Sequence, residues 1–544
     1  MLGRNSQIVL LVGYQHWQGA NRCWRWASVA ALYDARSAPV RLLVCAVLAF
    51  VLIAPAQASW REATSDNFIV YSDGSQASLV SFTEQVEKFD QVLRIMTGLD
   101  KPPAPVKVRI YLVKDSSEVR ELDLTHRPLG GFYTPRIDGG IAVVNREQAQ
   151  SEFAASGPSI LYHEYCHHYM AQYFPNAYPV WYQEGFAEYF GATVFNRDGT
   201  IDVGRVQMPR LPALSQGAWL SSQQLMNDTV EQLPTYQWDQ FYAQGWLLTH
   251  YLFRDPTRNQ HFRQYLVLRA QGVAHTEALQ KAFGLTDKEL EAQLRAYFAQ
   301  GKLVYSRMTT SRVRAPQVAT RELSQPEGDL LLLALRLKLG MSETEKPSVL
   351  EHIRAKAAHF PGSEYAQVLL AEAAGQLGDR AHAQELLKAT LAADPDNRRA
   401  MLDLAWWELS VKDLDSTARL EADRRARTWA VKANRLAPND PEALYLFYVT
   451  FAHEVAGPSK NAIDALTQAY EYLPQYQPTA QLLARQQLHD GKPNMAVSIL
   501  EPIAYSPHAG PAARKLRDWI AEIKAKESPA PAATPAEDSK DRPQ

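Results

Sequence analysis

Residues 161–168 read Leu161-Tyr162-His163-Glu164-Tyr165-Cys166-His167-His168. His163 and His167 are four residues apart, so in a helix they lie on one face about one turn apart, and their ring nitrogens can converge on one tetrahedral zinc ion. Glu164, between them, leans toward the same ion and can take a proton from its water. The pattern predicts a helix that carries two metal ligands and a general base.

A third ligand has to come from elsewhere in the chain, because a catalytic zinc ion keeps three protein ligands and one open position. The segment that can supply it is Pro179-Val180-Trp181-Tyr182-Gln183-Glu184-Gly185-Phe186-Ala187-Glu188-Tyr189-Phe190. A turn from Pro175 to Pro179 can reverse the chain, so that a second helix places Glu184 opposite the two histidines. Glu188 lies one turn further on the same face, and it can accept a hydrogen bond from the non-metal nitrogen of a ligand histidine.

On these motifs the chain resembles the gluzincin metallopeptidases, the clan of thermolysin and the zinc aminopeptidases. The resemblance covers about residues 60–300 and is carried by His163-Glu164-Tyr165-Cys166-His167 and Glu184-Gly185-Phe186-Ala187-Glu188. It implies a Zn²⁺ cofactor with His163, His167 and Glu184 as ligands, and it implies Glu164 as the general base.

A further segment resembles the Tyr-x-x-Gly helix of the aminopeptidase branch, namely Phe241-Tyr242-Ala243-Gln244-Gly245-Trp246-Leu247-Leu248-Thr249-His250-Tyr251-Leu252. The resemblance implies that the Tyr242 hydroxyl stabilises the oxyanion, a role that suits a neutral donor. That branch also binds the substrate's free amine with a glutamate on a strand before the metal helix. The corresponding stretch here, residues 139–145, has no acid, so we expect an endopeptidase or a restricted processing enzyme. We also expect this strand to pair with an extended peptide.

Each of these residues also has a purely structural interpretation. His163 and His167 are alternatively ordinary, partly buried histidines, and Tyr242 is alternatively a core residue of an apolar helix. His168 lies 100° further around the helix than His167, so we expect it at the surface or beside a ligand. The same geometry favours a packing role for Cys166.

The first half of the chain mixes strand and helix patterns. The strand patterns lie at residues 68–72 and 106–113, and glycines mark a hairpin at 130–145. Helical spacing of apolar residues is found at 79–96, 160–190 and 238–253. We therefore predict an α+β catalytic domain over residues 59–315, zincin-like by the resemblance given above.

The second half has the pattern of a helical repeat. From Pro326 onward the strand patterns end, and a helix-terminating proline recurs near the 34-residue tetratricopeptide period, at Pro361, Pro395, Pro438, Pro474 and Pro507. One longer interval holds a charged stretch, 420–427, that fits an extended helix. The region resembles the tetratricopeptide-repeat family, which implies an all-α solenoid over residues 327–525. A non-repetitive helical bundle is the alternative, and residues 527–544 are expected to be a disordered tail.

The N-terminal region has the pattern of an export signal. Arg41 is followed by the apolar run Leu42–Ala54 and by a small-residue cleavage site after Ala58. The run is shorter than the roughly 20 residues that span a bilayer, so we expect removal of residues 1–58 and a periplasmic or secreted protein. The long stretch before the run indicates either a later translation start or a retained membrane anchor.

Composition excludes several classes of protein. Hydrophobic residues make up 46% and charged residues 21% of the 544-residue chain, as in packed soluble proteins. The net charge of −2 gives no cationic surface for nucleic acid. Three cysteines cannot form a disulfide framework or a four-cysteine metal site.

The sequence therefore predicts a zinc metallopeptidase that acts on protein or peptide. The repeat domain is expected to bind a partner protein or an extended segment of substrate, and we expect no nucleic acid and no membrane as partner after signal cleavage. The alternative is a non-catalytic secreted scaffold that acts through its repeats and has a structural or vestigial zinc site.

Overall fold

The computed structural model describes residues 59–123, 130–147, 156–227, 232–507, 510 and 512–527. The predicted signal, residues 1–58, lies outside this range, as does the predicted tail beyond Glu527. No helix in the described ranges is both long enough and apolar enough to cross a bilayer.

The described strands form two sheets. In chain order they are β1 Arg61–Thr64, β2 Phe68–Ser72, β3 Val108–Val113, β4 Gly131–Arg136, β5 Gly139–Asn145, β6 Val194–Phe195, β7 Thr200–Val203, β8 Ser306–Thr309 and β9 Ala319–Glu322. The larger, mixed sheet has the order β4-β5-β3-β2-β1-β9, with β2, β3 and β5 parallel. The smaller has the order β6-β7-β8.

The predicted hairpin at 130–145 is β4 and β5, which are antiparallel. Gly139 opens β5 at φ +127°, a backbone conformation that residues other than glycine rarely adopt. Every residue of β5 is buried, because its side chains enter hydrophobic clusters on both faces of the sheet, and the strand itself lies between β3 and β4. The hairpin therefore leaves β4 at the edge of the sheet.

Ten helices follow or separate these strands in the described part of the first region. They are α1 Gln76–Thr97, α2 Ser116–Leu122, α3 Gly157–Tyr173, α4 Val180–Gly191, α5 Leu211–Gln216, α6 Ser222–Asn227, α7 Trp238–Phe253, α8 Pro256–Ala270, α9 His275–Phe283 and α10 Asp287–Ala299. Helices α1 and α3 cover one face of the larger sheet, and their aromatic side chains join its core, for example Phe89 and Tyr165. The sheet is thus the platform on which α3 lies.

Helices α3 and α4 form the predicted helical hairpin. A capping box between Ser156 and Ser159 starts α3, and Pro179 precedes the first turn of α4. Helix α4 then crosses α7 at very short range, because Gly185 and Gly245 have no side chains at the crossing. The crossing brings the Glu184 segment and the Tyr242 segment together.

The second region is an array of helices, which we call the repeat array. Its members are α11 Gln325–Leu339, α12 Lys346–Ala357, α13 Glu364–Gln376, α14 Arg380–Ala393, α15 Arg398–Ser410, α16 Ser416–Leu436, α17 Pro441–Val449, α18 Lys460–Tyr472, α19 Gln477–His489, α20 Pro493–Ala504 and α21 Ala512–Glu527. Consecutive helices pack together, and α15 also contacts both α13 and α17. The prediction of an all-α solenoid is confirmed in this region. The 21-residue α16 contains the predicted extension, whereas α14 has 14 residues.

The junction between the two regions differs from the predicted domain boundary. Strand β9, Ala319–Glu322, pairs with β1, so the larger sheet extends past residue 315, where we placed the end of the first domain. Most of β9 is exposed and it has no apolar pattern, so only its partner strand reveals it. Helix α11 then packs Leu331, Leu335 and Leu339 against the outer face of the sheet.

Candidate metal centre

The structure brings His163, His167 and Glu184 together at the α3–α4 hairpin. The Nε2 atoms of the two histidines are 3.2 Å apart. Glu184 Oε2 lies 3.3 Å from Nε2 of His163 and 3.4 Å from Nε2 of His167. Zinc bonds of about 2.0–2.2 Å at a tetrahedral angle separate ligand atoms by about 3.3 Å. The three atoms therefore form a triangle of the size that one zinc ion requires.

The environment of Glu184 also fits a cation. The side chain is 1% exposed, and neither carboxylate oxygen has a hydrogen bond of good geometry within the described part of the chain. A buried carboxylate without such partners is costly. The donor set of two imidazoles and one carboxylate is that of many catalytic zinc sites, so these three residues fit a zinc ion.

Glu188 lies behind the first histidine, as predicted from its position one turn after Glu184. Its Oε1 is 3.5 Å from Nδ1 of His163, on the side of the ring away from the triangle. Arg210 donates to the same Oε1 at 2.8 Å and also to Asp239 at 2.8 Å. A carboxylate at Nδ1 favours the tautomer whose Nε2 is free to bind metal.

The pKa of His163 reflects this concentration of acids. Burial lowers the pKa, but the close approach of the Glu184 carboxylate and the charges of Glu188, Glu184 and Glu164 outweigh it and raise the pKa to about 9. A positive charge between these carboxylates is thus strongly favoured, whether it comes from a proton or from a metal ion.

Glu164 lies near the triangle without belonging to it. It is half-buried, and its charge raises the pKa values of His163, Tyr242 and Tyr133. The carboxylate is therefore close to His163, to Tyr242 of α7 and to Tyr133 of the edge strand β4.

Tyr242 faces the same space from α7. Its ring centroid is 6.5 Å from that of His163, and the Arg210 guanidinium stacks on it at 4.7 Å. The charge of Glu184, followed by burial, raises the pKa of the Tyr242 hydroxyl well above its ordinary value. The phenol therefore stays protonated and can donate a hydrogen bond at neutral pH.

The strand predicted to pair with a peptide is the wrong one. Residues 139–145 form β5, and both of its edges are already paired, with β3 and with β4. Its neighbour β4 pairs on one side only within the described residues, and it contacts α3. Among the described residues, the edge available beside the candidate centre is therefore β4. The hydrophobic pattern found both strands but not their order.

The remaining residues of the motif are packed inside. Cys166 is fully buried and forms no disulfide, as its expected packing role requires. His168 is only 5% exposed, so its expected surface position is wrong. Its Nδ1 lies 2.8 Å from the Tyr133 hydroxyl and 3.1 Å from Nε2 of Gln475 in the repeat array. Burial lowers the pKa of His168 to about 4, so the ring is neutral.

Two residues that sequence reasoning missed belong to this centre. Arg210 joins Glu188 to the Tyr242 ring, and Gln475 reaches His168 from the loop between α18 and α19. Neither lies in a motif, and each reaches the centre through the folding of distant chain segments. No pattern around Arg210 or Gln475 in the sequence could have identified them.

Comparisons with known proteins add little about this centre. No family model matches the chain. No curated protein matches it either. Among solved structures, a thermophilic TPR protein from Thermus thermophilus, TTC0263, is 19% identical over 37% of this chain and 99% of its own, with a TM-score of 0.30. PilW, a type IV pilus biogenesis factor, is 17% identical over 38% of this chain and 93% of its own, with a TM-score of 0.28. MamA from Desulfovibrio magneticus RS-1 is 14% identical over 38% and 99%, with a TM-score of 0.24.

Proposed function

We propose that this protein is a zinc-dependent metallopeptidase, most readily an endopeptidase. The observation that carries the proposal is the triangle of His163, His167 and Glu184, whose donor atoms are 3.2–3.4 Å apart around a buried carboxylate. When bound, zinc supplies Lewis-acid polarisation of a carbonyl and a more acidic water.

Glu164 supplies the proton transfers in this proposal. Its half-buried carboxylate takes a proton from the attacking water and passes it to the nitrogen of the departing amine, which is the usual work of a general base and acid. Glu164 is not part of the ligand triangle. Its removal should therefore impair hydrolysis without impairing metal binding.

Tyr242 and the Glu188–Arg210 pair have supporting roles. The protonated Tyr242 hydroxyl donates a hydrogen bond to the oxyanion that develops as the carbonyl is attacked. Glu188 orients the His163 ring through Nδ1, and Arg210 in turn holds Glu188. Glu188 and Arg210 therefore act by positioning the His163 ring, whereas Tyr242 contacts the substrate directly.

A peptide substrate is proposed to lie along β4. An extended chain paired to this edge strand passes α3, where the ligand histidines lie. The repeat array also approaches this hairpin, since Lys338 forms an ion pair with Asp138 of the β4–β5 turn at 2.6 Å. An unfolded segment fits between these parts more readily than a folded domain.

Export and a partner protein complete the proposal. Export rests on the signal pattern of residues 41–58, and binding of a partner or of substrate by the repeat array rests on its helical-repeat architecture. The non-catalytic scaffold stays the competing function. The scaffold and the peptidase differ in one measurable respect: only the peptidase requires Glu164 for its function.

The test compares wild type, Glu164→Gln and His163→Ala for zinc content and for hydrolysis of an unfolded, fluorescently labelled protein. We expect Glu164→Gln to retain one zinc per chain and to hydrolyse about 10²–10⁴-fold more slowly. We expect His163→Ala to lose the zinc. Wild type that binds zinc but is as inert as Glu164→Gln would establish the scaffold function instead.

A further inference from the structure

A cavity of about 340 Å³ lies directly beside the metal centre. Its first wall comes from α3 and β4, with His167, Met170, Ala171 and Phe174 on the helix side and Tyr133 on the strand. Since His167 is one of the three proposed ligands, the cavity opens next to the reacting atoms.

The second wall comes from the repeat array. Pro474, Gln475 and Tyr476 precede α19, and Pro502 and Ile503 lie near the end of α20; all five line the cavity. A segment more than 300 residues after the metal helix in sequence thus forms half of the enclosure. The cavity exists only because the two regions meet here.

Three hydrogen bonds hold this second wall against helices α3 and α4, which we call the metal helices because they carry the proposed ligands. Gln172 Nε2 donates to the Glu471 carbonyl at 3.1 Å, and Gln183 Nε2 donates to the Tyr505 carbonyl at 2.8 Å. Gln475 Nε2 lies 3.1 Å from Nδ1 of His168. The three contacts bracket the cavity, so the wall is a fixed part of the site and not a separate lobe.

The chemistry of the lining is uniform in one respect: the described residues that form it include no aspartate, glutamate, lysine or arginine. Prolines, aromatic rings and aliphatic side chains form most of its surface, and the polar part of the lining includes the uncharged carboxamides of Gln183, Gln475 and Gln477. Besides His167, the lining has one histidine, His168, which is the buried ring beside the Tyr133 hydroxyl. The volume lies at the low end of the range for ligand pockets. Such a cavity suits one large uncharged side chain.

We propose that this cavity is the specificity pocket of the site, that it takes a large apolar side chain of an extended peptide substrate, and that the repeat array selects substrate by forming half of the pocket. The inference rests on the proposed peptidase function. It also assigns the array a role in choosing the cleavage site, beyond attachment of a partner.

The geometry of a paired strand supports this occupant. Tyr133, Thr134 and Pro135 of β4 all line the cavity, so a peptide paired to β4 passes its mouth. Side chains of an extended peptide point alternately to opposite faces, so one residue near the scissile bond can place its side chain inside. A charged side chain would enter without any partner charge and is disfavoured.

The test uses a peptide series in which each residue around the scissile bond is varied among phenylalanine, leucine, alanine and aspartate. Hydrolysis is measured on wild type, and binding is measured on zinc-loaded Glu164→Gln by fluorescence anisotropy. At one position we expect phenylalanine or leucine to exceed alanine and aspartate by about 10–100-fold in kcat/KM and in affinity.

Two variants change the pocket from its two walls. Ala171→Phe fills it from α3 and should abolish the preference, while Gln475→Ala enlarges it from the repeat array and should shift the preference toward the larger side chain. The matched control is Ala296→Phe, an exposed position on α10, which should leave the preference unchanged. Each variant is first checked for zinc content and helical circular dichroism.

The outcomes separate the two proposals. Equal binding of all peptides, or a preference that survives Ala171→Phe, would overturn the pocket while leaving the peptidase intact. A preference altered by Ala171→Phe but not by Gln475→Ala would overturn the contribution of the repeat array. If zinc-loaded wild type hydrolyses nothing, the peptidase proposal fails, and the anisotropy measurements alone decide the pocket.

Discussion

Replacing Gly185 with alanine tests how the proposed metal ligands are held in place. Gly185 follows the proposed ligand Glu184 in α4, at the point where α4 crosses α7. A Cβ atom there would overlap Thr249 Oγ1 and the Gly245 carbonyl oxygen and would lie 2.8 Å from the Gly245 carbonyl carbon, whereas ordinary contacts are 3.4–4 Å. The carbonyl belongs to the backbone of α7, so relief requires the two helices to separate by about 1 Å.

The magnitude follows from two opposing effects. Overpacking of this kind costs about 1–3 kcal/mol, and the better helix propensity of alanine returns up to about 1 kcal/mol. We expect Gly185→Ala to be less stable than wild type by about 1–2 kcal/mol. The separation also moves Glu184 away from the histidines and Tyr242 away from His163, and a shift of about 1 Å can cost about 10²-fold in the proposed activity.

The matched control is Gly328→Ala in α11, where the nearest atoms to an added Cβ are 3.7–3.9 Å away. There the propensity gain of up to about 1 kcal/mol stands alone, so the two alanine variants should change stability in opposite directions. The assays are urea unfolding of zinc-free protein and zinc affinity by competition with a chelator. A Gly185→Ala protein with wild-type stability and zinc affinity would refute the close-crossing argument.

Two further predictions concern the acids and histidines around the centre. Glu188→Gln should lower zinc affinity about 10–100-fold in a chelator competition, whereas Asp239→Asn, which removes the exposed partner of Arg210, should not; equal affinities would contradict the role of Glu188. Burial lowers the pKa of His250 to about 4, whereas an ordinary histidine has a pKa of about 6.5. As the pH falls, the unfolded chain therefore takes up a proton at His250 before the folded chain does. The folded state loses stability over the range from about pH 6.5 to about pH 4. The protonation of His250 accounts for a loss of roughly 3 kcal/mol. As the pH is lowered, the urea midpoint of zinc-free protein should therefore fall less steeply in His250→Gln than in wild type. Equal slopes for the two proteins would contradict this role of His250.

Local patterns in the sequence predicted the elements that carry the metal centre. Helix α7 has the predicted bounds, Trp238–Phe253, and β2 has the predicted bounds Phe68–Ser72. Both are determined by side chains within the element, through helical period in one and strand alternation in the other. The triangle of His163, His167 and Glu184 was also accessible, because its members lie on two adjacent helices joined by a short turn.

Contacts between distant segments could not be predicted in the same way. β5 and β4 were both recognised, but which of them lies at the sheet edge depends on pairing with β3. β9 is a strand only because β1 pairs with it. Arg210, Gln475 and the second wall of the cavity arise from chain segments that meet only in the folded protein. The periodicity of apolar residues within one element does not indicate which distant segments pack together.

The packing of α11 on the sheet has a consequence for how the molecule unfolds. Isolated repeat arrays need polar capping helices at their ends and tend to unfold piecewise, because each repeat contacts only its neighbours. Here Leu331, Leu335 and Leu339 use the sheet as the cap at one end, and the Gln183–Tyr505 hydrogen bond attaches the other end to α4. Loss of either region therefore exposes apolar surface on the other, so we expect the sheet, the metal helices and the array to melt as one cooperative unit rather than as two domains in succession.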